Sequence, residues 1–254
     1  MKFVKKFDSI SDMNSAIQND QGDFLGMAQN GVNQVLYQKT EPLPQHDYVE
    51  IAGVKWATMN VGASTVTDSG LYFQWGDTVG HAKDEPDLYL DWYNYKFNPH
   101  ITDGNNGYFD PNNMNKYNFV DGKTELWLED DAVHAAWGGQ WRMPTKVQFD
   151  ALLYYTTQEW AINYLNSGVN GLLCVDKTDN SKTLFFPASS YVGNLFDDDN
   201  IAGWVMSCSR DNNANWYAHM LMFYHVNEED YSYQVVTREV YYGYTVRGVI
   251  DETL

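Results

Sequence analysis

The chain's 254 residues, 44% hydrophobic and 16% aromatic, suffice for one large domain with a real core and exclude general disorder. Sixteen basic against 34 acidic residues, a net charge of −18, exclude a phosphate-binding nucleic-acid surface and disfavour an anionic membrane as partner. Two cysteines, Cys174 and Cys208, make neither a disulfide framework nor a zinc site; they read as reduced core residues, with one pairing in an oxidising setting as the alternative.

Residues 1–45 read as a small N-terminal unit. Phe3, Val4 and Phe7 suggest a short strand, Ser9 or Ser11 caps a helix through Met13, Ala16 and Ile17, and Asn33–Gln38 reads as a second strand. Such a piece buries little alone, which points to attachment or oligomerisation as its task. The basic residues of MKFVKKFDSISD lack an apolar run behind them, so no signal peptide is expected, and no segment reaches transmembrane length. Residues 40–47, with two prolines, read as a linker into a second domain, 46–254.

In that domain Val49–Ala57 alternates like a hairpin around Gly53, and Leu71–Asp77 reads as an apolar strand ending in a turn. Residues 94–123, rich in Asn, Asp, Gly and Tyr, predict long surface loops. A helix is expected over 144–155, with an apolar stripe of Val147, Phe149, Leu152 and Leu153. Leu172–Val175 and Thr183–Phe186 read as strands flanking an Asp-rich loop. Few helices, many short strands and long loops make an α+β domain.

No phosphate loop, His-Glu-x-x-His, Gly-x-Ser-x-Gly or Cys-x-x-Cys is present, so no catalytic site is assigned. His219 and His225 could share a metal if strands bring them together; otherwise they are polar surface residues. Asp103–Gly107 and Asp197–Asn200 offer oxygen ligands of the kind calcium uses, without the EF-hand spacing, and read by default as solvated loops with no cofactor. Asp130 and Asp131 precede a helix and read as capping charge.

The most distinctive stretch is 207–244, where 18 of 38 residues are Tyr, Asn, Asp, Ser or His. Tyrosine supplies large amphipathic contacts for two ordered torsions, and Asn and Ser supply adaptable hydrogen bonds, the composition of a binding surface. The alternative is a sheet whose exposed face is tyrosine-rich because Tyr favours strands.

Trp137-Gly138-Gly139-Gln140-Trp141-Arg142-Met143-Pro144-Thr145 resembles the Fibrobacter succinogenes major paralogous domain, a family of Bacteroidetes and phage proteins. The resemblance continues through Trp56–Ala63, Tyr72–Asp77, Asn170–Leu172, Phe185–Ser189, Gly203-Trp204 and Val246–Val249, covering roughly 48–250. It departs at 204–209 and at Gly248, where proline is usual. The resemblance implies a C-type lectin-like fold of the formylglycine-generating-enzyme type, without the residue pairs of calcium-dependent sugar binding. Trp137 and Trp141 would fill core, Gly138 and Gly139 would allow a tight turn, and Arg142 would pair with Asp130 or Asp131.

Some such domains are variable proteins of diversity-generating retroelements, similar to phage receptor-binding tropism determinants. Their C-terminal segment is rewritten at adenines, which turns Asn codons into Tyr, Asp, Ser and His. The resemblance therefore implies a non-enzymatic receptor binder contacting a cell-surface protein or glycan through Asn213, Asn215, Tyr217, His219, Tyr224, Tyr231, Tyr233, Tyr241, Tyr242 and Tyr244. It also implies a phage-tail location, with residues 1–45 as tail attachment or trimer contact, and no membrane insertion. The alternatives are a fixed adhesin or structural surface protein of the same fold, or a formylglycine-generating-type oxidative enzyme using Cys174 and Cys208.

Overall fold

The computed structural model describes residues 3–7, 24–30, 33–38, 46–99, 114–193, 199–227 and 229–250. The helix expected through Met13–Ile17 and the acidic runs 103–107 and 197–198 lie outside them. The chain divides into two compact units, Met1–Gln45 and His46–Leu254. In the first, β1 (Phe3–Phe7) pairs in parallel with β2 (Phe24–Asn30), which pairs antiparallel with β3 (Asn33–Gln38).

The second unit is mixed α+β, mostly strands. Its hairpin of β4 (Tyr48–Ile51) and β5 (Val54–Asn60) turns at Ala52-Gly53, both at positive φ. The expected strand over 71–77 shortens to β6 (Tyr72–Phe73). Beyond it Gln74 turns inward, donating to the Asp91 and Tyr241 carbonyls at 2.9 and 2.6 Å, which ends the alternation a strand requires.

Two short α-helices follow, α1 (Ala132–Trp137) and α2 (Lys146–Tyr155). Thr145 caps α2 in a reciprocal box with Gln148, which fixes its start two residues inside the expected boundary. Its stripe is narrower than expected: Phe149 and Leu152 are buried, but Val147 is exposed. A small antiparallel sheet of β7 (Thr156–Ala161), β8 (Gly171–Asp176) and β9 (Thr183–Pro187) comes next.

The large sheet is completed by β10 (Ala202–Arg210), β11 (Tyr217–His225), β12 (Tyr231–Glu239) and β13 (Tyr244–Ile250), in the order β12-β11-β10-β13-β5-β4, with β6 also on β13. Each face carries its own core. On one, Phe149, Leu152, Leu172, Phe186, Val205, Leu221 and Phe223 pack with Trp56; on the other, Trp75, Tyr95, Trp137, Trp204, Met206, Met220 and Met222 pack together. A strand with apolar residues on both faces must be central, and β10 is buried along its whole length.

The Trp-Gly-Gly-Gln-Trp block is structural. Trp137 and Trp141 are buried edge to face at 5.4 Å, and Gly138 and Gly139 both take positive φ between them. The pairing expected for Arg142 fails, because both carboxylates are occupied elsewhere. Asp131 accepts from the backbone N–H groups of His134 and Met143, each at 2.9 Å. Asp130 accepts from Lys96, Lys116 and the Tyr117 hydroxyl.

Candidate functional site

The tyrosine-rich segment supplies the end of β10, all of β11 and β12, the turns that follow them and the first residue of β13. Its small polar residues on β10 are scaffold. Ser207 Oγ donates to the His219 carbonyl at 2.6 Å, and Ser209 Oγ accepts the Lys146 N–H at 3.0 Å, tying β10 to β11 and to the start of α2.

The ten residues expected to form one contact surface do not share one. Two are interior. Tyr244 is 1% exposed and lies in the core beside Tyr191, with ring centroids 5.7 Å apart. Asn215 is 0% exposed, and neither its amide nitrogen nor its oxygen has a hydrogen-bond partner. Neither side chain reaches a ligand in the folded chain.

Strand parity divides the rest. Cross-strand register sets His225 opposite Tyr231, Phe223 opposite Tyr233, Leu221 opposite Val235 and His219 opposite Thr237, all on the face of the α2 core. Tyr224, opposite Ser232, and the turn residues Tyr241 and Tyr242 pack on the other core. His219 and His225, six residues apart on one strand, are roughly 20 Å apart at about 3.3 Å per residue, so they cannot share a metal.

On the α2 face an aromatic row runs out to the sheet edge. Trp160 of β7 stacks on His225 at 5.4 Å, His225 on Tyr231 at 5.8 Å, and Tyr231 leans on Tyr233 at 5.8 Å. Tyr231 is 53% exposed at its end. Burial raises the Tyr233 hydroxyl's pKa, and burial lowers that of His219 further along the face.

On the other face, Tyr241 meets Trp92 at 5.8 Å and Tyr242 at 4.8 Å, and Tyr242 meets Tyr191 at 5.5 Å. Burial, then the Glu239 carboxylate, pushes both the Tyr241 and Tyr242 hydroxyls up, so both stay neutral donors at physiological pH. Arg238 lies over the Trp204 ring at 4.7 Å. Tyr89 and Tyr93, 61% and 57% exposed, lie on the loop that carries Trp92. Asn213 is exposed in the β10–β11 turn, where its N–H bonds the Asp211 carboxylate at 2.9 Å, and Tyr217 sits beside Trp216 at 5.6 Å.

Sequence reading missed Trp160, Tyr191 and Trp92, the partners from outside the segment. No local signal marks them, since each joins the site only through pairing across the fold. Among the described residues no group of three His, Cys, Asp or Glu side chains could hold a metal ion. No helix among them is long and apolar enough to cross a membrane. Comparison with family models, curated proteins and solved structures finds no match.

Proposed function

We propose that this chain is a non-enzymatic receptor-binding protein, whose 207–244 segment is diversified by a retroelement and whose contact residues are the accessible tyrosines of that segment. The observation that carries the reading is the contrast within the segment. Its first four residues, 207–210 at the end of β10, are buried, while Tyr217, Tyr224, Tyr231, Tyr233, Tyr241 and Tyr242, on the neighbouring strands and turn, keep accessible surface. A fixed support under adaptable aromatic side chains is what a tolerant binding surface needs. Affinity would come from a few tyrosine anchors, with Asn213 and its neighbours adapting around them.

A C-type lectin-like architecture, a phage-tail location and attachment through residues 1–45 belong to the same proposal and rest on the resemblance. The oxidative-enzyme alternative needs a reactive thiolate. Cys174 and Cys208 are both buried; burial pushes the Cys174 thiol up to about 12 and Cys208 higher still.

Two experiments test the reading. The DNA beside the gene should hold a near-copy of the codons for 207–244, differing at adenines, next to a reverse transcriptase; without it, the chain is a fixed adhesin. The labelled protein should bind intact Bacteroidetes cells, and Tyr231→Ala/Tyr233→Ala or Tyr241→Ala/Tyr242→Ala should abolish that binding. Full binding by both double variants would sink the tyrosine assignment.

A further inference from the structure

We propose that the aromatic group of Trp92, Tyr241 and Tyr242, with Glu239 beside it, receives an arginine side chain of a protein receptor. The inference rests on the receptor-binding reading above and gives the partner its chemistry. Tyr241 and Tyr242 keep accessible surface, so a ligand can reach both rings.

The rings stand on a fixed base. The buried Gln74 amide donates to the Asp91 carbonyl, Asn94 Oδ1 and the Tyr241 carbonyl at 2.9, 3.0 and 2.6 Å, which ties the loop of Trp92 to the turn of Tyr241 and Tyr242. Val192 and Gly243 exchange backbone hydrogen bonds of 2.9 and 2.7 Å, which hold the end of that turn. Rings on a backbone held this way lose little freedom when a ligand arrives, which favours binding.

The charge beside them is negative and unanswered. The charged side chains that act most on the Tyr241 and Tyr242 hydroxyls are Glu239 and then Asp91, both carboxylates. Asp91 is occupied in capping the turn at Trp92, where it accepts the Tyr93 and Asn94 N–H groups at 2.8 and 3.3 Å. Glu239 is half-buried and forms no salt bridge among the described residues. The adjacent Arg238 is engaged elsewhere, donating to the Thr237 carbonyl at 3.1 Å and lying over the Trp204 ring at 4.7 Å. A half-buried carboxylate gains from a partner's cation, and a chain of net charge −18 repels an anionic glycan.

The Trp204 contact shows which cation suits the cluster. Trp204 meets Tyr191 edge to face at 6.1 Å, and Tyr191 meets Tyr242 at 5.5 Å. Arg238 thus lies on one end of the same run of rings that Tyr242, Tyr241 and Trp92 continue. A planar guanidinium can lie on a ring face and still donate from its edge to a carboxylate, a geometry that a lysine ammonium lacks.

Calorimetric titration of the full chain at about 0.15 M salt tests the site with acetyl-triarginine amide. Acetyl-tricitrulline amide serves as the uncharged isostere, acetyl-trilysine amide as the other cation and maltotriose as a neutral glycan. Saturable binding of the arginine peptide is expected, weaker binding of the lysine peptide, and none of the other two. Tyr241→Ala/Tyr242→Ala should weaken it about tenfold or more. Those rings also touch the core, so Glu239→Gln, which removes only a charge, is the decisive variant and should weaken it about fivefold or more. Tyr154→Ala, an exposed tyrosine on α2, should leave it unchanged. No saturation by triarginine up to about 10 mM, equal binding of tricitrulline or trilysine, or wild-type affinity in Glu239→Gln would each overturn the proposal. Should Glu239→Gln bind intact cells like the wild type while the tyrosine double variants do not, receptor binding stands and the arginine assignment falls.

Discussion

Arg247 shows how a charge can be held in an interior without a counter-ion. It is 0% exposed and donates to Asn60 Oδ1 at 2.8 Å, the Ala57 carbonyl at 2.9 Å and the Phe185 carbonyl at 3.1 Å, with the Phe186 ring 4.6 Å away. Burial lowers its pKa to about 9, which still leaves it charged at neutral pH. Those acceptors come from two separate strands, β5 and β9, which the side chain clamps to its own strand β13. Arg247→Ala should cost about 3–5 kcal/mol in urea denaturation, since the acceptors are left unpaired in the interior. Asp130 is the acidic counterpart. Burial opposes its charge, but Lys116, Lys96 and the Tyr117 hydroxyl win and hold its carboxyl below the usual range. A depressed folded pKa means stability that is present above the ordinary carboxylate pKa and lost as pH falls through the folded value. Urea melts from pH 7 to pH 2 should therefore show a loss in the acid limb that Asp130→Asn removes. At residue scale the sequence was least informative about Tyr244 and Asn215. Tyr241, Tyr242 and Tyr244 differ in composition not at all, and only the pairing of Tyr244 with Phe73 of β6 draws the last of them inside.

Elements built from neighbouring residues were legible; those built from distant ones were not. The β4–β5 hairpin needs only alternation and a two-residue turn, and α2 needs only a cap and a stripe, so both stand close to where the sequence puts them. Thr145→Ala removes the reciprocal cap and should cost about 1 kcal/mol, readable from the melting midpoint. Strand β7 went unread because Thr156–Ala161 carries mostly polar residues and acquires its inward face only by pairing with β8. Gly248 is the opposite case, a sequence oddity with a clear structural reason. A Cβ there would lie 2.1 Å from Cζ3 of Trp137, so the glycine lets β13 pass directly against the tryptophan of α1. Gly248→Ala should destabilise by about 1–3 kcal/mol through forced displacement of that ring, and the same denaturation assay would detect it. The candidate site was half legible for a related reason: composition finds the tyrosines, but a period of two sends alternate residues to opposite faces, and one segment becomes two aromatic groups.

At the scale of the second unit, the large sheet contributes side chains to a core on each face, and each core holds one thiol, Cys208 in one and Cys174 in the other. The folded protein should leave Cys174 and Cys208 unmodified by a maleimide, with both labelled once urea passes the unfolding midpoint; labelling before unfolding would contradict their burial. The sheet order was beyond sequence reading because it depends on contacts between residues more than a hundred positions apart, such as Asn60 with Arg247. That order has a consequence for how the protein is made. Strand β13, the last of its sheet to be synthesised, lies in the interior, between β10 on one side and β5 on the other. Until Tyr244–Ile250 emerges from the ribosome, the early hairpin and the later β10–β12 ribbon remain two half-sheets, each with an open edge. A stop codon or frameshift inside 211–242 would therefore remove the strand that joins them. Only products translated in frame to the end of β13 would complete the sheet; shorter ones would be left with two open edges and discarded as misfolded chain.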